Sequence, residues 1–134
     1  MKDSSGAIFS LSLFLNAPDK PLIFAGEDSV LAAGLMQGAC GGIGATYNIM
    51  PHLFVALWDS FRADKLEEVG RIQARINQLI DALLLVDLFA GLKQVLAWMG
   101  LEWGGPRTPN RLLSKGETAK LRHALEAVGF FEET

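Results

Sequence analysis

Apolar positions along this chain follow two patterns. Before residue 47 they cluster in short unbroken runs; after it they recur every three or four positions. Residues 7–16 place Ile8, Leu11 and Leu15 on one helical face, and Pro18 predicts the stop. Residues 21–25, Pro-Leu-Ile-Phe-Ala, form a continuous apolar run closed by Gly26, the pattern of a strand buried on both faces. Asp28 or Ser29 can cap a helix over 30–37, with Gly38 ending it. Residues 41–46, Gly-Gly-Ile-Gly-Ala-Thr, predict a second buried strand in which glycines allow close approach of another group. Strand, helix and strand in so short a stretch make a parallel βαβ unit.

The remainder predicts helices. Pro51 opens one that runs to about Arg62. Asp64 and Glu67 have capping-box spacing before a long helix carrying Leu66, Val69, Ile72, Ile76, Leu79, Ile80 and Leu83. Residues 88–99 form another, stopped by Gly100. After a Gly/Pro loop at 103–109, Ser114 and Glu117 repeat the capping-box spacing, and Leu121, Leu125 and Val128 give the last helix its buried face. Two apolar parallel strands cannot satisfy both faces and both edges of a sheet. The pattern therefore predicts a piece of a larger α/β fold, or a chain completed by a partner.

Composition narrows the classes. The chain has 134 residues, half of them hydrophobic, enough for a core rather than a disordered polymer. Its net charge of −3 is spread without a basic block, which argues against nucleic acid as a partner. The single cysteine, Cys40, reads as a small buried residue and fits a reducing cytoplasm. No apolar stretch predicts a membrane span, because residues 79–92 are interrupted by Asp81 and Asp87. The start reads poorly as a signal peptide, since Asp3 falls where positive charge belongs and Ser10 and Ser12 break the apolar run. His52 and His123 are too isolated for a metal site, and Gly-rich residues 38–44 lack a phosphate-binding lysine.

Three motifs carry the chemistry: Lys2-Asp3-Ser4-Ser5-Gly6, Phe24-Ala25-Gly26-Glu27-Asp28, and Gly41-Gly42-Ile43-Gly44-Ala45-Thr46-Tyr47-Asn48-Ile49-Met50-Pro51. Their order and spacing resemble the last third of the dihydrodipicolinate synthase / N-acetylneuraminate lyase family, and residues 41–50 are most similar to its N-acetylneuraminate lyase branch. Ala90-Gly91-Leu92-Lys93 and Gly105-Pro106-Arg107-Thr108-Pro109 extend the resemblance across the chain.

The resemblance implies an α/β fold, the C-terminal portion of a (β/α)8 barrel. Residues 1–63 would run from the end of strand six through helix eight, and residues 64–134 would form a C-terminal helical extension. Lys2 would stand at the carboxyl end of its strand, where barrel chemistry sits. It would attack the ketone of a 2-oxo acid such as pyruvate, forming an imine that lets a neighbouring carbon–carbon bond break or form. Such a lysine must be neutral to attack, which an enclosed pocket promotes.

Ser4 and Ser5 would donate to the acid group, though local turn chemistry explains them equally. Gly26, Asp28 and Ser29 would hold the far end of a sugar acid, while Ile43, Gly44 and Ala45 line the pocket. The branch carries a glutamate where this chain has Ser29, and a serine where it has Ala45. Both changes remove polar contacts and point to a shorter 2-oxo acid or a different sugar acid. No cofactor is implied.

The family's amino-terminal strands, with their carboxylate-binding threonines and proton-shuttling tyrosine, have no counterpart in the chain, and Tyr47 is not that tyrosine. The expectation is a Schiff-base lyase segment weakly active or inactive alone, as a homo-oligomer or paired with an amino-terminal half. The alternative is a non-catalytic half-barrel that serves as a dimerising or partner-binding module.

Overall fold

The computed structural model of the chain describes residues 1–19 and 21–132. It comprises two compact units, Met1–Tyr47 with Pro51–Ile76, and Asn48–Met50 with the segment from Asn77 onward.

The first unit is built on parallel strands. β1 (Lys2–Asp3) pairs with β2 (Phe24–Ala25), Lys2 opposite Phe24 and Asp3 opposite Ala25. On the other side of β2, residues 41–43 add a third strand's worth of backbone: the Ala25 amide donates to Gly41 O, and the Ile43 amide to Ala25 O. Only the bridge between Ala25 and Gly42 is regular there. Each strand leads into a helix: α1 (Ile8–Leu15) after β1, α2 (Leu31–Gln37) after β2, and α3 (Pro51–Arg62) after residues 41–43. α1 packs on α2, and α2 packs on β2 and α3. The helical layer thus keeps the order of the strands.

Several expectations change here. The run at 21–25 is buried on one face only, since Ile23 and Ala25 are buried while Leu22 is 73% exposed. An unbroken apolar run therefore overstates burial when one face of the sheet is open. The strand expected at 41–46 shrinks to its first three residues, because Thr46–Asn48 turn into a one-turn 3-10 helix. Lys2 and Asp3 form a two-residue strand. Cys40, expected to be buried, is exposed, its thiol donating to Ile23 O at 3.0 Å.

Two caps also differ. The turn Asp28–Val30 that opens α2 is capped by Glu27, whose carboxylate accepts from the Ser29 amide, so neither Asp28 nor Ser29 is the cap. Asp64 has φ 58 and closes α3, with the Lys65 amide donating to Ser60 O. An N-cap needs extended backbone, so Asp64 cannot begin the next helix, α4 (Leu66–Leu83). α4 reaches α2 through Gln73, whose Oε1 accepts from the Ala32 amide at 2.9 Å and whose Nε2 donates to Asp28 O at 3.1 Å.

In the second unit, α5 (Leu88–Trp98) is capped by Asp87, which accepts from the Ala90 amide at 2.9 Å. α6 (Lys115–Ala127) carries the expected capping box of Ser114 and Glu117. The helices meet at Gly91, where an added Cβ would lie 3.1 Å from Val86 and 3.6 Å from Leu121. Val95, Leu121, Leu125 and Phe130 are buried. No helix among the described residues is long and apolar enough to cross a membrane.

Candidate functional site

The motif residues gather where the three parallel strands end, and they form two small clusters. The first is centred on Gly26, the residue after β2. Its amide donates to Asp3 O at 2.7 Å, which brings the backbone leaving β2 against the end of β1. A Cβ at position 26 would overlap the Lys2 stem at Cε and the Ser4 hydroxyl. The missing side chain is what lets Lys2 and Ser4 converge over this point. Both are exposed in this chain, in contrast to the enclosed pocket expected for Lys2.

Ser5, expected beside them, turns to its own backbone. Its hydroxyl donates to Asp3 Oδ2 at 3.2 Å and accepts from the Ala7 amide, while Asp3 Oδ1 accepts from the Ser5 amide. It stabilises the turn between β1 and α1. Ser29 is likewise engaged, its hydroxyl donating to Glu27 Oε1 at 2.7 Å.

The second cluster is a buried clasp. Asp28 is 8% exposed, and its Oδ2 accepts from the Thr46 amide at 2.9 Å and the Thr46 hydroxyl at 2.6 Å. Two donors on one oxygen stabilise a carboxylate out of water. Its Oδ1 occupies the space where a Cβ on Gly44 would sit, so the carboxylate lies directly against the backbone leaving the third strand. Tyr47 stacks edge-on against Phe54, with ring centroids 3.7 Å apart. Burial, reinforced by the nearby Asp28 carboxylate, holds its hydroxyl above the usual phenol range. Its Oη fills the room left by the absent side chain of Gly42. Ile43, at the same strand end, is 47% exposed, and Ala45 is half-buried.

The structure therefore brings together Lys2, Ser4 and Gly26, and separately Asp28, Gly44 and Thr46. It sets Ser5 and Ser29 on local partners. Sequence reasoning missed Glu27, although its position two residues before Ser29 is a spacing at which a side chain reaches a backbone amide. It also missed that Thr46 holds Asp28, a contact across 18 residues that no local pattern signals.

A model of the dihydrodipicolinate synthetase family matches residues 1–128. The N-acetylneuraminate lyase of Rhizobium meliloti (strain 1021) is 37% identical over all 134 residues of the chain, which correspond to 45% of that protein. The one from Enterobacter sp. (strain 638) is 37% identical over 99 residues, 74% of this chain and 33% of that one.

Among solved structures, the Fusobacterium nucleatum N-acetylneuraminate lyase complexed with pyruvate superposes with a TM-score of 0.84 at 28% identity, covering 95% of this chain and 43% of that one. The Proteus mirabilis N-acetylneuraminate lyase gives 0.83 at 27% identity, over 97% and 44%. The chain thus spans less than half the length of the relatives it matches, and its parallel strands and helices are the C-terminal portion of their barrel. With a family model matching residues 1–128 and a relative 37% identical over all 134 residues, the chain belongs to the dihydrodipicolinate synthetase family.

Proposed function

We propose that this chain carries the imine-forming lysine of a Schiff-base lyase acting on 2-oxo acids. The observation that supports it best is the convergence of Lys2 and Ser4 over Gly26 at the carboxyl end of a parallel sheet. In this reading the Lys2 amine attacks the ketone carbon of a pyruvate-type acid, the carbinolamine loses water, and a protonated imine results. Breaking the bond between the carbon next to the imine and the hydroxyl-bearing carbon beyond it sends its electron pair into the imine; the hydroxyl gives up its proton as that fragment leaves as an aldehyde, and the resulting enamine takes up a proton. Reversal joins the two fragments.

Ser4 would donate to the acid group, with Ser5 holding the turn that presents it. Gly26, Ser29, Ile43, Gly44 and Ala45 would line the pocket, with Asp28 at its far end. The pairing of Ser29 with Glu27 and the apolar Ala45 favour a shorter 2-oxo acid, or a sugar acid with few hydroxyls near them. Lys2 is exposed among the described residues, so the desolvation that keeps an amine neutral has to come from groups that cover it in the working site.

Borohydride reduction in the presence of pyruvate, followed by peptide mass spectrometry, tests the reading. The expected product is a stable adduct on Lys2 that is absent from Lys2→Arg. Pyruvate-dependent labelling spread over other lysines, or none while an intact relative labels in parallel, would remove Lys2 from this role.

A second reading has an observation in its favour. α1 exposes Phe9 and Leu13, at 75% and 59%, which suits an interaction module rather than a finished surface.

A further inference from the structure

Ser29 has both of its hydrogens turned toward one carboxylate. Its hydroxyl donates to Glu27 Oε1 at 2.7 Å, and its amide reaches the same oxygen at 3.4 Å. A serine hydroxyl carries one hydrogen and two lone pairs, so this one meets any further partner as an acceptor only. The carboxylate that takes the hydrogen is itself fixed. Glu27 is half-buried and caps the turn Asp28–Val30, and its Cγ lies 3.5 Å from where a Cβ on Gly6 would sit. It is thus held between the turn that follows β1 and the turn that opens α2.

Gly26, whose missing side chain makes room for Lys2 and Ser4, directly precedes Glu27. Ser29 is three residues beyond Gly26, so their Cα atoms are at most about 11 Å apart, the reach of three residues. A ligand joined to Lys2 through its keto carbon, with a tail of several carbons, covers such an interval.

We propose that Glu27 is a positioning residue for substrate selection: by holding the Ser29 hydrogen it leaves an acceptor for the ligand's far end, and so selects a tail ending in a hydroxyl over one ending in a carboxylate. The inference rests on the imine reading of Lys2 and deepens it by naming the chemistry of the tail. A hydroxyl tail donates to Ser29 Oγ and completes a chain of hydrogen bonds that ends on the Glu27 carboxylate, in which each bond polarises the next. A carboxylate tail brings lone pairs against lone pairs. To bond at all it has to draw the Ser29 hydrogen away from Glu27, which gives up a charge-assisted bond and sets two like charges close together. Without Glu27 the hydroxyl rotates freely and serves either kind of tail. A single donor at this point accords with Ala45, which offers no polar side chain to a second one.

Borohydride trapping on Lys2 tests this without requiring carbon–carbon cleavage. The probes are pyruvate, which has no tail, and straight six-carbon 2-oxo acids ending in a hydroxyl or in a carboxylate, with the eight-carbon pair alongside. The concentration that half-labels Lys2 is measured for the unaltered chain, Glu27→Ala and Glu27→Gln, each checked for fold by circular dichroism. The readout is the ratio between the two tailed acids, each normalised to pyruvate. In the unaltered chain the hydroxyl-ended acid should half-label at a concentration about tenfold lower, the worth of one hydrogen bond. Glu27→Ala should erase that preference. Glu27→Gln should keep most of it, because the amide oxygen still accepts from the Ser29 hydroxyl and amide. A merely structural role would move all the probes together and leave the ratio where it was. Three results would overturn the proposal: equal labelling by the tailed acids in the unaltered chain, a preference that survives Glu27→Ala, or a glutamine variant that behaves like the alanine one, which would make bare charge the selector. If pyruvate itself leaves no adduct on Lys2 of the unaltered chain, the imine reading fails and this inference falls with it.

Discussion

Asp28 shows how one residue can be read correctly as important and wrongly as to partner. Its acidic side chain before a helix suggests a cap, yet the carboxylate reaches Thr46 and presses on Gly44. Asp28→Ala removes the acceptor from two buried donors, and each unsatisfied group costs about 1–3 kcal/mol. Gly44→Ala forces a methyl group into the carboxylate, an overpacking worth about 1–3 kcal/mol. The two substitutions together should cost clearly less than their sum, because the alanine at 44 then occupies the space the carboxylate vacated. Urea unfolding of the two single variants and the double variant measures this, and strict additivity would contradict the close approach. Gly44 was legible as a place of close contact, because glycine in a strand signals one; what approaches it was not, since Asp28 lies 16 positions earlier.

Helices were read more faithfully than strands. α4 buries Val69, Ile76, Leu79 and Leu83 as its three-and-four spacing predicts, and only Leu66, at 50% exposure, leaves the stripe. A helix shows its buried face in its own period. A two-residue strand has no period to show, and its pairing depends on residues some 20 positions away. Capping boxes divided in the same way. Ser114 and Glu117 form theirs, whereas at 64 the backbone is used to end α3.

At the start of α6, Arg111 grips the Glu117 carboxylate with two N–H groups at 2.6 and 2.8 Å, while the Ser114 amide and hydroxyl also donate to it. These bonds, Arg111's first, hold the Glu117 carboxyl well below the usual glutamate range. Folding therefore favours the ionised form. That stabilisation is complete above the ordinary glutamate range and is lost as pH falls through it toward the lowered folded value. Glu117→Gln should flatten the acid limb of a stability–pH curve while changing its alkaline limb little. Ser114→Ala should cost about 1 kcal/mol at neutral pH. An unchanged acid limb in Glu117→Gln would show that solvent screens the cluster completely.

For the molecule as a whole, the family motifs signalled a barrel, and the parallel strands with their helices match the C-terminal portion of one. What spacing did not signal is the second helical unit's own core, which Val95, Leu121, Leu125 and Phe130 form in three dimensions.

The Gln73 bridge has a kinetic consequence. The Ala32 amide, in the first turn of α2, has its acceptor 41 residues away on α4. Fraying of α2 alone does not strip that protection, whereas departure of α4 does. In native-state hydrogen–deuterium exchange the Ala32 amide should therefore keep time with the amides in the middle of α4, and Gln73→Ala should accelerate it selectively. A single amide then serves as the clock for the docking of a helix far along the chain.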